Sequence, residues 1–593
     1  MDAGIRTIPD STFRFRAQQP PPTWHYLLLI GMVLLGLGLR FWQLDSKPLW
    51  LDEVITAVFA LGHNYKDIPT NTFIGLETLT EQFALNPTTT CATIAQTLIT
   101  DSSHPPLFFC GLHRWLVWLN PAPDQLAWAL RSLPALLGTL LIPLMYVLNR
   151  VAVSSAAGLL GAGFMAVSPF AVYLSQEARH YTLPMVLITL SLLCGVWMLQ
   201  DLLRDRVRAW AWLLWIAVSL CGLYTHYFFL MALVAQIVAL VGVCLRQGQG
   251  LLNWRGLLLG LAIAILFLGY FPWIPVLYQH FSQPATDWLN LAPGWGRLNP
   301  LYQGLAGWMI FFILLPVENQ PLAIALPLGI IMLVVFLGLA WQVWQGLCRF
   351  YTQHPTHPAV SFLLLSTLLI GLEFLVIIYG LGKDLTLAPR YNFVYFPGVC
   401  SLVGIALAQR VQRRSGFPSS FSRRSLTSRT WKRLTTSLVL ALGLLSSIFV
   451  VYGLGFQKSY NPATVAANVL RSPNEDMAIA FVYPTFQELA LHLSFAYEIQ
   501  QELSGRDTPP NIALTFLPQG MPQAPSEVSL PDLEGDRPVP KTLWIITSPG
   551  YDSFSDTHNL STAIGGTSPC QIEPDGRYQI FGVPYQRYTC RES

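Results

Sequence analysis

Two adjacent acids, Asp52 and Glu53, stand in the stretch KPLWLDEVITAV, a few residues after a long apolar run. A carboxylate at the end of such a run can accept a proton from a hydroxyl group, which is the chemistry of a general base. An acid also stabilises the N-terminus of a helix, and a helix is expected to begin near Val54. The local residues leave these two interpretations equally open.

Five other stretches carry side chains suited to binding a phosphate, a metal ion or a sugar. They are HPPLFF with His104, ALRSLP with Arg131, SQEARHYTL with Glu177, Arg179, His180 and Tyr181, YTHYF with His226, and KDLTLAPRY with Lys383 and Arg390. Structural roles compete with these. His104 can shape a turn with its two prolines, and His226 can cap a helix. Glu177 can close its loop by pairing with Arg179, and Arg390 can extend from a span end to the membrane surface.

The composition is that of an integral membrane protein. Hydrophobic residues make up 53% of the 593-residue chain and charged residues only 11%, and the mean hydropathy is +0.45. Soluble proteins carry about 25% charged residues, so a soluble enzyme is excluded. We therefore expect the lipid bilayer as a partner, no nucleic acid, and a location in the plasma (inner) membrane. The first apolar run is too long for a signal peptide and is expected to stay as a span.

Apolar stretches of sufficient length predict about eleven transmembrane helices, and hence a polytopic α-helical membrane protein. The candidate spans are 24–44, 126–149, 154–175, 181–201, 209–225, 226–246, 256–279, 320–346, 359–380, 391–410 and 434–455. Two other apolar stretches, 105–119 and 301–316, are too short or too interrupted to cross. We expect both to form helices in the membrane interface.

The charge distribution predicts the orientation of the spans. Residues 410–433 carry eight Lys or Arg and no acid, which is typical of a cytoplasmic loop. We expect residues 1–23 to be a disordered cytoplasmic tail and residues 24–455 to form the transmembrane domain. Within that domain, 45–125 is the long first outer loop. On this topology the clusters around Asp52, Glu177, His226 and Arg390 all lie on the outer face.

Residues 456–593 lose the long apolar runs and predict a small extracytoplasmic α/β domain. Its strand-like segments are 478–483, 511–517 and 542–548, and its helical segment is 484–503. Cys570 and Cys590 bracket the last hairpin-like segment, and an extracytoplasmic location permits a disulfide there. Cys91 and Cys110 form a weaker candidate pair.

The order of the motifs resembles the GT-C superfamily of glycosyltransferases. PLWLDE follows the first span, HPPLFF and ALRSLPALLG precede and open the second, and QEARHYTL follows the third. The most similar branch is the protein O-mannosyltransferase and aminoarabinose-transferase-like family, which uses polyprenyl-phosphate-linked sugars. The resemblance covers residues 24 to 400. It implies a membrane glycosyltransferase in which Asp52 is the catalytic base and Glu53 is the neighbouring acid of the same motif.

The resemblance also implies the partners and the roles of other residues. The donor is a polyprenyl-phosphate sugar, and the extracytoplasmic acceptor is a protein, a lipid or a glycan. Because the phosphate leaves already ionised, one carboxylate is enough for an inverting displacement at the anomeric carbon. The leaving phosphate needs positive charge, for which Arg390 is the first candidate and Lys383 a weaker second one. Arg131 is expected either to contact the phosphate or to pair with an acid of the loop.

In related enzymes the acid of the second loop either binds a divalent metal or orients the donor. That acid is Glu177 here, where relatives often carry Asp, so the need for a metal cofactor stays open. Arg179 and His180 lie beside Glu177 in the same motif. His104, Tyr181 and His226 are expected as further substrate contacts.

Two other functional classes compete with the enzyme. A transporter or flippase of lipid-linked sugars is the first, but such proteins tend to have repeated halves and midplane charges. The chain has no internal repeat of that kind. A non-catalytic scaffold or sensor is the second, and it leaves the Asp52, Glu177 and Arg390 clusters without a purpose. The sequence does not define the sugar or the acceptor.

Overall fold

The structure is a computed structural model, and it describes most of the chain. The described residues are 22–204, 206–250, 253–282, 284–411, 423–471, 476–504, 510–519, 530–532, 540–550, 554–561, 567–580 and 582–591. Nearly all of the predicted N-terminal tail, and residues 412–422 of the basic segment, lie outside these ranges.

The described part of the chain is mostly helical. Its α-helices are α1 Thr23–Phe41, α2 Leu51–Leu61, α3 Leu76–Gln82, α4 Cys91–Asp101, α5 Leu107–Leu119, α6 Leu126–Ala152, α7 Ser155–Val167, α8 Pro169–Ser175, α9 Thr182–Arg204, α10 Ala209–Leu223, α11 Phe229–Arg246, α12 Trp254–Tyr270, α13 Ile274–Phe281, α14 Asn299–Met309, α15 Leu322–Gln353, α16 Pro358–Gly380, α17 Phe396–Val411, α18 Arg423–Val451, α19 Pro462–Val469 and α20 Phe486–Ser504. Its strands are β1 Phe73–Ile74, β2 Met477–Tyr483, β3 Ile512–Pro518, β4 Thr542–Thr547, β5 Thr557–Ser561, β6 Thr567–Ile580 and β7 Val583–Cys590.

Each predicted span corresponds to helical structure. In the described ranges, seven helical segments are long and apolar enough to cross a membrane, and the pair α7 and α8, bent by 58°, gives an eighth. The predicted spans 209–225 and 391–410 fall on shorter apolar helices, and 434–455 falls on the apolar part of α18, Thr436–Val451. The peripheral helices α12 and α15 expose large apolar side chains, as lipid contact requires. The total of eleven spans and their orientation remain predictions.

Small residues allow the central helices to approach closely. A Cβ added to Gly404 of α17 would lie 2.6 Å from the backbone nitrogen of Gly161 in α7. The two backbones can therefore meet only because both positions lack a side chain. The bend between α7 and α8 follows from Ser168 and Pro169, because proline has no N–H for the preceding helix and is well suited to begin a new one.

The predicted interfacial helix over 301–316 is wrong in its second half. Helix α14 ends at Met309, and the residues from Phe311 to Leu314 are buried under the spans. The hydroxyl of Ser168 donates to the Phe311 carbonyl at 2.8 Å, and the Leu314 N–H donates to Ser446 Oγ at 2.9 Å. These side-chain partners satisfy backbone groups that would otherwise need a helix. The other predicted interfacial segment, 105–119, contains α5.

The C-terminal residues form a mixed sheet that also includes part of the first loop. The strand order is β1-β3-β2-β4-β7-β6-β5, with β2 parallel to β3 and β4. Strand β1, from the first loop, pairs antiparallel with β3. Helix α2 packs on α20, and one hydrophobic core joins both parts of the chain. The first loop and the C-terminal domain, expected as separate regions, therefore form one unit at one end of the helix bundle.

The strands and the helix predicted for the C-terminal region are confirmed within one or two residues. Both candidate cysteine pairs are disulfide-bonded: Cys91 with Cys110, and Cys570 with Cys590. The second bond joins β6 to β7, as the predicted hairpin required.

Candidate active site

Four of the polar stretches meet at the end of the bundle that carries the sheet. The N-terminus of α2 brings Asp52, the loop between α8 and α9 brings Arg179, and the segment before α17 brings Arg390. The turn between α10 and α11 adds His226, whose ring lies 4.7 Å from that of His180. The structure thus brings these clusters together at one end of the bundle, and their predicted location on the outer face of the membrane remains a prediction.

Asp52 lies between two arginines. Its Oδ2 is 3.2 Å from Arg390 Nη2 and 3.9 Å from Arg179 Nε. Neither approach has hydrogen-bond geometry, and within the described residues Asp52 Oδ2 accepts no hydrogen bond. The carboxylate is therefore neutralised electrostatically while one of its oxygens keeps an unused acceptor position. That is the state a proton acceptor needs before its substrate arrives.

Arg179 is fixed by contacts other than the Asp52 carboxylate. Its Nη1 donates to the Asp52 carbonyl and to Thr56 Oγ1, both at 2.9 Å. Its Nη2 lies 3.4 Å from His104 Nε2. Because a guanidinium only donates, His104 Nε2 must be the unprotonated nitrogen, and its Nδ1 then donates to Ser102 Oγ at 3.0 Å. His104 therefore orients Arg179 from behind.

These surroundings set the protonation states. Burial raises the pKa of Asp52, but the charges of Arg390 and Arg179 lower it by more, so that pKa lies below its usual value. Burial, together with the charge of Arg179, lowers the pKa of His104 to about 3. At neutral pH the site thus holds an ionised Asp52 between two permanent cations, Arg179 and Arg390. His104, which contacts Arg179, is neutral.

Arg390 is the more accessible of the two arginines. Its Nε donates to the Tyr181 hydroxyl at 3.0 Å. Its guanidinium lies over the rings of Trp50 and Tyr391, 5.4 and 5.7 Å from their centres. Cation–π contacts of this kind hold a guanidinium in place without using its N–H donors. Arg390 therefore keeps donors for an anion that enters the site.

Glu53 has a different environment from Asp52. Its Oε1 accepts from Arg131 Nε at 2.8 Å and from the Ala178 N–H at 2.7 Å, and its Oε2 accepts from Arg131 Nη2 at 2.7 Å. Its Oε2 also caps α2 by accepting from the Trp50 N–H at 3.4 Å. Burial raises the pKa of Glu53, and Arg131 lowers it by more. Glu53 is fully occupied and serves as a positioning residue.

Arg131 takes the second of its two expected roles and pairs with a loop acid, Glu53. Besides Glu53, it donates to the carbonyls of Leu44, Lys47 and Pro48 at 2.9, 2.8 and 3.1 Å. These bonds use all five guanidinium donors, and the side chain is buried. Arg131 thus fixes the segment that leads into α2 and has no donor left for a ligand.

The remaining predicted residues divide into lining and packing groups. His104, Tyr181 and His226 line the same cavity as Asp52. His180 does not line it. Its ring is fully buried among aromatic rings, and within the described residues neither ring nitrogen has a hydrogen-bond partner. Burial, with His226 next, lowers the pKa of His180 well below its usual value, so it packs as a neutral ring.

Lys383 lies on the rim rather than in the cavity. Its Nζ is 3.3 Å from Asp287 Oδ1 and donates to the Thr286 carbonyl at 3.2 Å. Both partners belong to the segment that precedes α14. The expected phosphate role of Lys383 therefore finds no support in its position.

A cavity of about 350 Å³, which we call the Asp52 cavity, opens at the two arginines. Its lining includes Trp50, Asp52, His104, Arg179, Tyr181, His226, Phe281, Trp288, Arg390, Tyr391, Tyr460 and Gln487. The lining combines these charged groups with aromatic residues, among them Phe281 of α13 and Trp288 of the segment after it. Such a cavity suits an anionic headgroup attached to an apolar chain.

Glu177 does not fit a metal site. Its Oε1 binds the ammonium of Lys458, from the segment between α18 and α19. Lys458 Nζ also donates to the Tyr173 hydroxyl at 3.2 Å and lies 3.7 Å from the centre of the Trp50 ring. Among the residues that the structure describes, no group of three potential metal-ligating acids, histidines or cysteines occurs. The ammonium of Lys458 thus takes, at Oε1, the place where a metal ion would bind this carboxylate.

Sequence reasoning missed Lys458 and Tyr460. Tyr460 accepts from the Leu51 N–H at 2.5 Å and thereby anchors the start of α2. Both residues lie in QKSYN, more than 400 positions after Asp52, and nothing in that short polar stretch links it to the first loop. Only the folding of the C-terminal unit against the first loop brings it into the site.

No family model and no curated protein sequence matches the chain. Solved structures resemble it. ArnT from Cupriavidus metallidurans bound to undecaprenyl phosphate is 13% identical with a TM-score of 0.46, and the match covers 96% of this chain and 98% of that one. The oligosaccharyltransferase of Archaeoglobus fulgidus in the apo form is 12% identical with a TM-score of 0.47, over 80% of this chain and 64% of that one.

AglB of the same archaeon, in complex with an inhibitory peptide and a dolichol-phosphate, is 11% identical with a TM-score of 0.44, over 81% and 64% of the two chains. The chain thus spans about two thirds of the archaeal enzymes. These neighbours are GT-C glycosyltransferases, the superfamily whose motifs the sequence resembles. At such identities and TM-scores, evidence for an activity must come from the site itself.

Proposed function

We propose that the protein is an integral membrane glycosyltransferase that uses a polyprenyl-phosphate-linked sugar. The observation that carries the proposal is the Asp52 carboxylate, held between Arg179 and Arg390 with one oxygen unused, at the wall of a cavity. A transferase of this class needs one base and a cationic site for a phosphate, and the two are adjacent here. The aromatic residues in the cavity lining suit the isoprenoid chain.

The reaction balances with these groups alone. An acceptor hydroxyl attacks the anomeric carbon while its proton passes to Asp52. The bond between that carbon and the phosphate oxygen breaks, and the polyprenyl phosphate leaves with one more negative charge than it carried as a diester. Arg390 and Arg179 stabilise that developing charge. Attack opposite the leaving group inverts the anomeric configuration.

Asp52 is a weak base while both arginines neutralise it. A bound donor phosphate competes for the same guanidinium groups, and Asp52 then loses part of their stabilisation. Its proton affinity rises in the complex in which a base is needed. Binding of the donor and activation of the base are coupled in this way.

The test is transfer from a polyprenyl-phosphate sugar by purified protein in proteoliposomes. Asp52→Asn keeps the shape of the side chain and removes its charge, and it should reduce the transfer rate by about 10²- to 10⁴-fold. Thermal unfolding of the variant provides the control for folding. Transfer at near the wild-type rate would remove Asp52 as the base. Lipid scrambling that persists in the absence of any transfer would instead favour a flippase.

A further inference from the structure

The molecule contains a second cavity that the proposed reaction does not use. It has a volume of about 260 Å³ and includes Glu177, Lys458 and Tyr173 in its lining. We call it the Glu177 cavity. Trp50 and Tyr460 line both this cavity and the Asp52 cavity, so the two adjoin at those side chains.

Aromatic faces form part of the Glu177 cavity. Tyr173 and Phe456 stack with their ring centres 3.9 Å apart and an angle of 6° between their planes. Trp50 and Tyr460 add two more rings to the lining. Flat aromatic faces bind the apolar C–H face of a ring-shaped ligand, and they do so without fixing its hydroxyl pattern.

Polar groups in the lining lack partners. Glu177 is buried, and its Oε2 accepts no hydrogen bond from any described residue. The indole N–H of Trp50 is likewise buried and unpaired in the described structure. Buried polar atoms of this kind are costly unless a ligand or water completes them. Both residues line the cavity, so an occupant that reaches these two atoms pairs with one acceptor and one donor.

Two tyrosine hydroxyls extend that set. The Tyr173 hydroxyl accepts from Lys458, and the Tyr460 hydroxyl accepts from the Leu51 N–H. Each can still donate its own proton. The two ammonium groups, of Lys47 and Lys458, are held by protein oxygens, Lys47 by Gln176 and the Val450 carbonyl and Lys458 by Glu177. The lining is therefore better suited to a ligand with several hydroxyl groups than to a strongly anionic ligand.

We propose that the Glu177 cavity binds a sugar residue of the acceptor, so that the acceptor is a glycan or a glycolipid. The inference rests on the proposed function, because it assigns the second substrate of the same reaction. A sugar ring presents a C–H face to the aromatic rings and hydroxyls to Glu177 and the tyrosines. An acyl chain would leave these polar groups unpaired, and a serine or threonine side chain has no ring to lie against the aromatic faces. The reactive hydroxyl would then lie near Trp50 and Tyr460, where the Glu177 cavity adjoins the Asp52 cavity.

The test measures binding to the purified full-length protein without any donor. The probes are the methyl glycosides of glucose, mannose, galactose and N-acetylglucosamine, and saturation-transfer NMR detects their binding. The affinity for polyprenyl phosphate is measured in parallel, as the ligand expected in the Asp52 cavity. At least one glycoside should bind saturably. Tyr173→Phe and Glu177→Gln should each weaken it by about tenfold, the loss expected for one hydrogen bond to a polar or charged group. Neither should change the affinity for polyprenyl phosphate.

Tyr391→Phe is the matched control, because it removes a tyrosine hydroxyl from the Asp52 cavity alone. It should leave glycoside binding unchanged. Failure of all four glycosides to bind, or binding that the Glu177-cavity variants do not weaken, overturns the inference. The proposed function is judged separately by Asp52→Asn, which should bind the glycoside normally. If the protein binds a glycoside but shows no sugar transfer, the sugar-binding site is supported and the proposed transferase reaction is contradicted.

Discussion

Asp52 and Glu53 are consecutive residues in the first turn of α2, and their surroundings differ in a way that assigns their roles. Glu53 accepts bonds from Arg131, Ala178 and Trp50 and has no contact left to make. Asp52 has two cationic neighbours, an oxygen without a hydrogen bond and an adjoining cavity. A complete set of partners marks the structural acid, and an incomplete one marks the acid available for a substrate.

The largest test of this comparison is the change Glu53→Gln. It leaves the Arg131 guanidinium buried without its counter-charge, which costs about 3–5 kcal/mol in the free energy of unfolding. Thermal unfolding in detergent measures the effect. Asp52→Asn should change stability much less while it reduces the transfer rate by about 10²- to 10⁴-fold. Equal losses of stability in the two variants would contradict the division of roles.

The next effect concerns the anion site. Arg390→Gln removes the accessible guanidinium and should weaken polyprenyl phosphate binding by about 10- to 100-fold, as for the loss of a charged hydrogen bond. Isothermal titration of purified protein gives the affinity. Arg297→Gln, an exposed arginine in the segment Gly294–Leu298, provides a control of equal charge change. A comparable loss in that control would show that long-range charge alone explains the effect.

A pH profile sharpens the comparison further. Asp52 must be ionised to act, and because its pKa is lowered, kcat/KM should fall only when the pH drops through that lowered value. Lys458 and His104 also face Asp52, and His104 stays neutral in the working range because its pKa is about 3. Arg179→Gln removes one cation, so the acidic limb should move to higher pH. An unmoved limb would mean that another group limits the rate.

The smallest effect is expected at Lys383. Its partner Asp287 is 63% exposed, and pairs of this type contribute about 0–1 kcal/mol. Lys383→Ala should therefore change the affinity for polyprenyl phosphate by less than about twofold. A loss of affinity as large as that of Arg390→Gln would show that Lys383 takes part in phosphate binding.

Much of the fold could be predicted from the sequence because membrane spans and strands leave local signals. All eleven predicted spans fall on helices, and the strands around Ala480, Thr515 and Ile545 lie where short strand-like segments of apolar residues indicated them. The prediction of an interfacial helix over 301–316 was wrong in its second half because the apolar residues there are buried. Hydropathy alone does not distinguish a buried segment from one that lies in the membrane interface. Strand β1 was missed because two residues carry no periodicity.

The residue types at the site were likewise visible, but their partners were not. The motifs identified Asp52, Arg179 and Arg390 as candidates, and the structure brings all three together. Arg131 was also a candidate for phosphate contact, but all its donors bind Glu53 and three backbone carbonyls. Donor saturation depends on which backbone oxygens lie within reach, and that is a tertiary property.

The sequence by itself determined that this chain belongs in a membrane, since its hydropathy exceeds what a soluble fold can bury, and it showed which polar residues are unusual there. Tertiary structure alone decided which of two neighbouring acids is available. It set Lys458, from the far end of the chain, against Glu177, and so placed an ion pair at the acid whose role as a metal ligand or donor-orienting group the sequence had left open. The physical reason is that the state of a carboxylate depends on the charges and donors within a few ångströms, and these come from segments hundreds of residues apart.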